Sequence, residues 1–202
     1  MFEWLSTHSD ALQVMLSGLT ALVWIIYLQV FLISFRRQRR PEIIISLGAG
    51  AGTKASWFVA NLGLEPVFIV DVLVRLETEQ GTTEAVVTDR TEMNDRELNN
   101  PGEATNQGPL ASGNFMSIGT LDILLHRSAS QPIPVSDLKT VTIVVVAATA
   151  ARWSLVGASR QYRVSFDEEG APTILATKID TDQIRSRAGR RALLQKLESR
   201  LG

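Results

Sequence analysis

No cysteine occurs among the 202 residues, which excludes disulfides, thiolate nucleophiles and cysteine-ligated zinc. Histidine is nearly as scarce: His8 and His126 are the only two. They flank a long uncharged run on opposite sides, so a histidine metal site or a Ser-His-Asp arrangement would rest on His126 alone. With 20 Lys and Arg against 21 Asp and Glu, the net charge is -1, and the bulk positive field of a nucleic-acid binder is missing. The last scarcity is local, in that no Lys or Arg precedes Arg36.

What stands in that region is an apolar run. Leu12 to Phe35 contains no Asp, Glu, Lys, Arg, His or Pro, and fourteen of its residues are Leu, Ile, Val or Phe. A helix over this span reaches about 36 Å, enough to cross the hydrocarbon core of a bilayer with some tilt. The apolar side chains outweigh the cost of taking Gln13 and Gln29 into lipid. Glu3 and Asp10 lie before the span, and Arg36, Arg37, Arg39 and Arg40 follow it, with Pro41 next. The positive-inside rule therefore predicts a short extracytoplasmic N-terminus (1–11), a transmembrane helix (12–35) and a cytoplasmic remainder held in a bacterial inner membrane. The run has no positive charge ahead of it and no small-residue cleavage site after it, so it is expected to stay as an anchor.

At 100° per residue the helix has two unlike sides. Gln13, Ser17, Gly18, Ala21, Trp24 and Gln29 gather on one, together with Thr20 and Tyr27; Leu and Ile fill the other. Small residues permit close helix approach, and amides in lipid favour a partner across an interface. This face is expected to pack on another transmembrane helix, in a homo-oligomer or a complex.

After the basic linker (36–41) the texture turns to β. Apolar or alternating segments predict strands at 42–47, 54–61, 66–78, 84–88, 114–118, 138–148, 160–166 and 173–176, with Phe68, Val70, Val72, Val74 and Leu76 sharing one face of the third. Leu138 to Ala148 is β-branched almost throughout and reads as a central strand. A short helical turn is expected at 120–127. Residues 90–113, centred on Asn99-Asn100-Pro101-Gly102, read as a long surface loop. Short strands at this spacing predict an antiparallel β-sandwich over 42–178. Asp180 with Gln183 resembles a capping box, predicting a C-terminal helix within 179–202. Arg187, Arg190 and Arg191, like Arg36 to Arg40, are expected to hold that helix and the domain on the anionic inner leaflet.

Ile43-Ile44-Ile45 leads into Gly48-Ala49-Gly50-Ala51-Gly52, and Asp71 follows an apolar strand. That order is similar to a dinucleotide-binding βαβ unit, and it supplies the alternative function, a nucleotide-binding oxidoreductase using loop 48–52. Against it, Thr53 stands where the helix-packing glycine belongs, and the crossover helix would be barely two turns long. The P-loop Gly-Lys-Ser/Thr is also missing around Lys54. A hairpin loop is the favoured reading. Asp89, Glu92, Asp95 and Glu97 are interleaved with Arg90 and Arg96 and show no metal-ligand spacing. No catalytic residue, cofactor site or metal site is expected, and no nucleic-acid partner.

Asn61-Leu62-Gly63-Leu64-Glu65-Pro66 resembles a turn joining two strands in immunoglobulin-like bacterial sandwiches. With Arg39-Arg40-Pro41 and Gly157-Ala158-Ser159-Arg160-Gln161-Tyr162, the chain resembles uncharacterised proteobacterial single-pass membrane proteins with a cytoplasmic immunoglobulin-like β-sandwich domain. The resemblance implies a mainly β fold and a topology, immunoglobulin-like in architecture only, and carries no site residue. The expected function is that of a membrane-anchored interaction or accessory-subunit module without catalysis.

Overall fold

The structure, a computed structural model, describes residues 9–38, 40–48, 50, 52–87, 105–128, 133–149 and 154–199. It divides into two compact units, 1–40 and 41–202. The first is helix α1, Ser9–Gln38. Its Ser9–Arg36 stretch contains an 18-residue segment of mean hydropathy 2.1 and is long and apolar enough to cross a membrane.

The second unit is mainly β, with strands making up 44% of the chain. Ten strands are present among the described residues: β1 (Ile43–Leu47), β2 (Ser56–Asn61), β3 (Val67–Thr78), β4 (Thr82–Val86), β5 (Gly108–Leu110), β6 (Phe115–Thr120), β7 (Leu138–Thr149), β8 (Ser154–Phe166), β9 (Pro172–Ala176) and β10 (Asp182–Ile184). Helix α2 spans Leu121–Ser128 and α3 spans Arg187–Glu198. A three-stranded sheet runs β1-β2-β6, and a seven-stranded sheet runs β10-β8-β7-β3-β4, with β5 also on β3 and β9 also on β8. Every pairing is antiparallel. Each outer flank of the larger sheet is divided between two short strands. Flanks broken in this way offer a poorer template for stray pairing than one long edge.

The two sheets enclose one core. Ile43 and Ile45 from β1, Trp57 and Val59 from β2, and Ile118 from β6 meet Val72, Val74, Ile143, Val145 and Tyr162 of the larger sheet. The Trp57 and Tyr162 rings contact edge to face at 5.6 Å between centroids. Leu121, Leu124 and Leu125 of α2 close one side of this core, at the helical turn the sequence predicts.

β3 departs from the simple alternation read from its sequence. Its register with β7 shifts between Ile69 and Asp71, so a bulge at Val70 inverts the side-chain phase. Val67 and Ile69 face the core before the bulge, and Val72, Val74 and Leu76 face it afterwards. Phe68, expected on the core face, is 48% exposed. The Val70 carbonyl accepts a hydrogen bond from the Gln107 side chain at 2.9 Å.

The C-terminal helix is also revised. The Asp180-Gln183 segment leads into β10, which pairs with β8 at Gly157 to Ser159. The helix opens later, with Ser186 as its N-cap accepting from the Gly189 N–H. Its Leu193 is buried against Leu73, Val144 and Val146 on the face of the larger sheet remote from the main core. Cover on both faces explains why β7 carries an unbroken apolar run. Residues 105–110, expected in the long loop, contribute β5 and a buried Asn106 whose amide donates to the Val87 carbonyl at 2.9 Å.

Candidate functional site

The apolar helix is the first candidate surface. No part of its most apolar window is buried, so it holds its side chains out to the surroundings. Gln13, Ser17, Gly18, Ala21, Trp24 and Gln29 are all exposed on it. Thr20 returns its hydroxyl proton to the Leu16 carbonyl at 2.8 Å, and Trp24 meets Tyr27 edge to face at 6.3 Å. A Cβ at Gly18 would meet nothing within 4 Å, so packing within the chain does not require glycine there. Apolarity is spread almost evenly round the axis, as befits a helix that meets an apolar medium on all sides. The two-sided character therefore lies in residue size and hydrogen-bonding groups, and hardly at all in hydrophobicity.

The arginines expected at the membrane surface separate into three groups. Arg36 and Arg40 are exposed, whereas the side chain of Arg37 and all of Arg39 lie outside the described residues. Arg187 and Arg191 are exposed on α3. Arg190 folds back and donates to the Arg185 carbonyl from Nε at 2.9 Å and from Nη2 at 2.8 Å. On this helix Leu193 is taken up by the sheet, while Leu194 stays 45% exposed.

The glycine-rich loop is a hairpin connection. β1 and β2 pair antiparallel from Ile43–Asn61 to Leu47–Trp57, with a 3-10 turn, Gly52–Lys54, among the described residues of the loop. A βαβ nucleotide site requires parallel strands and a crossover helix, and that geometry is not built here. Two of the glycines have local causes. A Cβ at Gly48 would overlap the Phe58 ring, and one at Gly50 would lie 2.7 Å from the Ala55 Cα. Gly50 also has φ +131°, a conformation side chains rarely adopt. A groove of about 520 Å³ lies between this loop and the β8–β9 turn, lined by Leu47, Thr53, Lys54, Asp167 and Pro172 among others. The Asp167 carboxylate there accepts the Glu169 and Ala171 N–H groups at 3.0 and 2.7 Å, which makes it the organiser of its own turn. His126 is exposed on α2. The acidic residues 89–97 lie outside the described residues. No three His, Asp or Glu side chains gather as a metal site would need, among the described residues.

Sequence reasoning missed the guarded edge of β1. Its outward backbone groups at Ile43 and Ile45 pair with side chains. Gln183 Nε2 donates to the Ile43 carbonyl, while Oε1 accepts the Ile43 N–H at 3.3 Å. At Ile45, Thr181 Oγ1 accepts the N–H at 3.2 Å, and Arg160 Nη1 donates to the carbonyl at 2.6 Å. Tyr162 Oη donates to the same carbonyl at 3.3 Å. Burial pushes the Tyr162 hydroxyl up to about 12, against the opposing pull of the Arg160 charge. The segment thereby imitates a neighbouring strand with side-chain amide, hydroxyl and guanidinium groups. The only sequence signal was the polar spacing Thr181-x-Gln183-x-Arg185, in which Arg185 also donates to the Pro41 carbonyl at 2.6 Å.

A second missed cluster ties α3 to β4. Glu84 bonds both Lys196 of the helix and Arg75 of β3, the latter at 3.1 Å. Burial alone raises the Glu84 carboxyl, but its bonds to Lys196 and Arg75 outweigh that and leave it below the usual value of 4.5.

The chain matches no protein-family model, no curated protein and no solved structure. Its class is therefore defined by architecture: one exposed apolar helix, followed by a mainly β unit of antiparallel sheets that ends in a short helix.

Proposed function

We propose that this chain is a single-pass protein of a bacterial inner membrane, with its N-terminus outside and its β unit at the cytoplasmic face. It acts there as an interaction or accessory-subunit module through binding and not catalysis. The observation that carries the reading is the 28-residue Ser9–Arg36 stretch of α1, apolar and unburied along its most apolar segment. Such a surface in water would be a large aggregation-prone patch, whereas lipid accommodates it. The four arginines between 36 and 40, against none before them, support the orientation. The β unit is read as a sandwich that is immunoglobulin-like in its layers, of the kind found in the proteobacterial proteins the sequence resembles.

The partner-binding face is read at Gln13, Ser17, Gly18, Ala21, Trp24 and Gln29, the partner being a second copy or another transmembrane protein. Gly18 supports this, because its missing side chain serves no contact inside the chain, and close approach of a second helix is the usual role of glycine in lipid. The test is purification in mild detergent with crosslinking. A defined oligomer or complex is expected, weakened by Gln13→Leu combined with Gln29→Leu. A lone monomer, unchanged by the double substitution, overturns the docking face.

A further inference from the structure

The β2–β3 turn carries an apolar feature that neither the core nor the helix explains. Turns are ordinarily polar, yet Leu62 and Leu64 flank Gly63 and are 56% and 62% exposed. The turn is held rigidly. The buried Asn61 side chain accepts the Gly63 N–H at 2.9 Å, and it donates to the Glu65 carbonyl at 2.9 Å and the Leu110 carbonyl at 3.1 Å. The neighbouring β5–β6 turn is joined to it through Asn61 N–H to Asn114 carbonyl at 3.0 Å. Directly after Asn114 comes Phe115, 68% exposed. Glu65 is the one acid in these two turns.

Position decides what these residues can meet. The Leu62 N–H donates to the Glu42 carbonyl at 2.8 Å, and a Cβ at Gly63 would lie 3.1 Å from Pro41 Cα. Leu62 and Leu64 therefore lie beside the place where the β unit begins, while Phe115, whose ring meets Phe58 edge to face at 5.6 Å, follows on β6 from the adjoining turn. By covalent connection, Pro41 is six residues after Phe35, the last residue of the uncharged run. Six residues span at most about 20 Å, so covalent connection alone keeps Pro41 within that distance of Phe35.

We infer that Leu62, Leu64 and Phe115 form a lipid-contacting wedge, which seats the Pro41 end of the β unit in the interface of the bilayer. This inference rests on the membrane reading proposed above. An exposed leucine pair on a rigid turn gains by entering the headgroup–acyl boundary, and neighbouring arginines add attraction to anionic lipid. The wedge fixes which end of the unit faces lipid and leaves the glycine-loop end, with the β8–β9 turn, facing away.

The absence of native cysteine makes the test direct. Single Leu64→Cys, Phe115→Cys, Glu169→Cys and Leu22→Cys proteins are labelled with an environment-sensitive fluorophore. Each full chain is reconstituted in phosphatidylethanolamine–phosphatidylglycerol vesicles containing doxyl lipid labelled near the headgroup, to read positions 64, 115 and 169, or deep in the acyl chain, to read position 22. The label at 64 or 115 is expected to be blue-shifted and quenched several-fold more than at 169. If those labels are as water-exposed as the one at 169 while the label at 22 is quenched, the wedge is wrong and the anchor stands. If the label at 22 is also unquenched, both the anchor and the wedge are overturned.

Discussion

Gln183 completes the backbone pairing of Ile43, its side-chain amide giving one hydrogen bond and taking another where a neighbouring strand would otherwise lie. Gln183→Leu leaves both groups of Ile43 unpaired. The expected cost is about 1–3 kcal/mol, together with concentration-dependent self-association through the freed edge. Urea unfolding in detergent checks the first effect, and sedimentation of the same samples checks the second.

Leu193 joins α3 to the sheet. A methyl group on Gly157 would stand 2.7 Å from Leu193 Cδ1 and 3.3 Å from the Val145 carbonyl. Leu193→Ala should cost about 2–3 kcal/mol through the cavity it leaves. Gly157→Val should release the helix by the opposite route, overpacking. Both substitutions are expected to expose α3 to protease ahead of the β unit, which limited digestion with mass spectrometry detects.

Acid should loosen the same junction. Because the Glu84 carboxyl is held below 4.5 in the folded protein, its contribution is complete above that value. It is lost as the pH falls through the lowered folded value. Glu84→Gln should remove this part of the acid sensitivity. A titration of α3 protease resistance from pH 6 to 3 separates the two proteins only if the pairing with Lys196 and Arg75 holds the helix.

Alkali should act on Tyr162 in the reverse sense. Its folded value is raised from 10 to about 12, so the stability it supplies is intact below pH 10 and declines as the pH climbs towards 12. Tyr162→Phe should cost about 1 kcal/mol at pH 8, since Arg160 still serves the Ile45 carbonyl. The gap between the two proteins should narrow between pH 10 and 11 in denaturant titrations.

What was legible from sequence follows from how local its cause is. The anchor-like helix was legible because crossing lipid demands a long uncharged run, and Leu12 to Phe35 is one. β7 and the β1–β2 hairpin were legible because burial on two faces and a glycine loop each leave a compositional mark. The bulge at Val70 was not. An inserted residue inside a run of valine and isoleucine changes the phase without changing the composition. Nor was the start of α3, because Asp180 and Gln183 fit a helix start in sequence while Gln183 is engaged by a strand 140 residues away. The guarded edge and the Glu84 cluster depend on such distant pairings. Only the fold brings their members together.

The most direct test of the account is topology in living bacteria. A fluorescent protein that matures only in the cytoplasm is joined after Gly202, and the membranes are washed with alkaline carbonate. The account predicts a fluorescent fusion that stays in the carbonate-resistant pellet and moves to the supernatant when residues 12–35 are deleted. A dark fusion in that pellet, or a full-length fusion released without detergent, contradicts it.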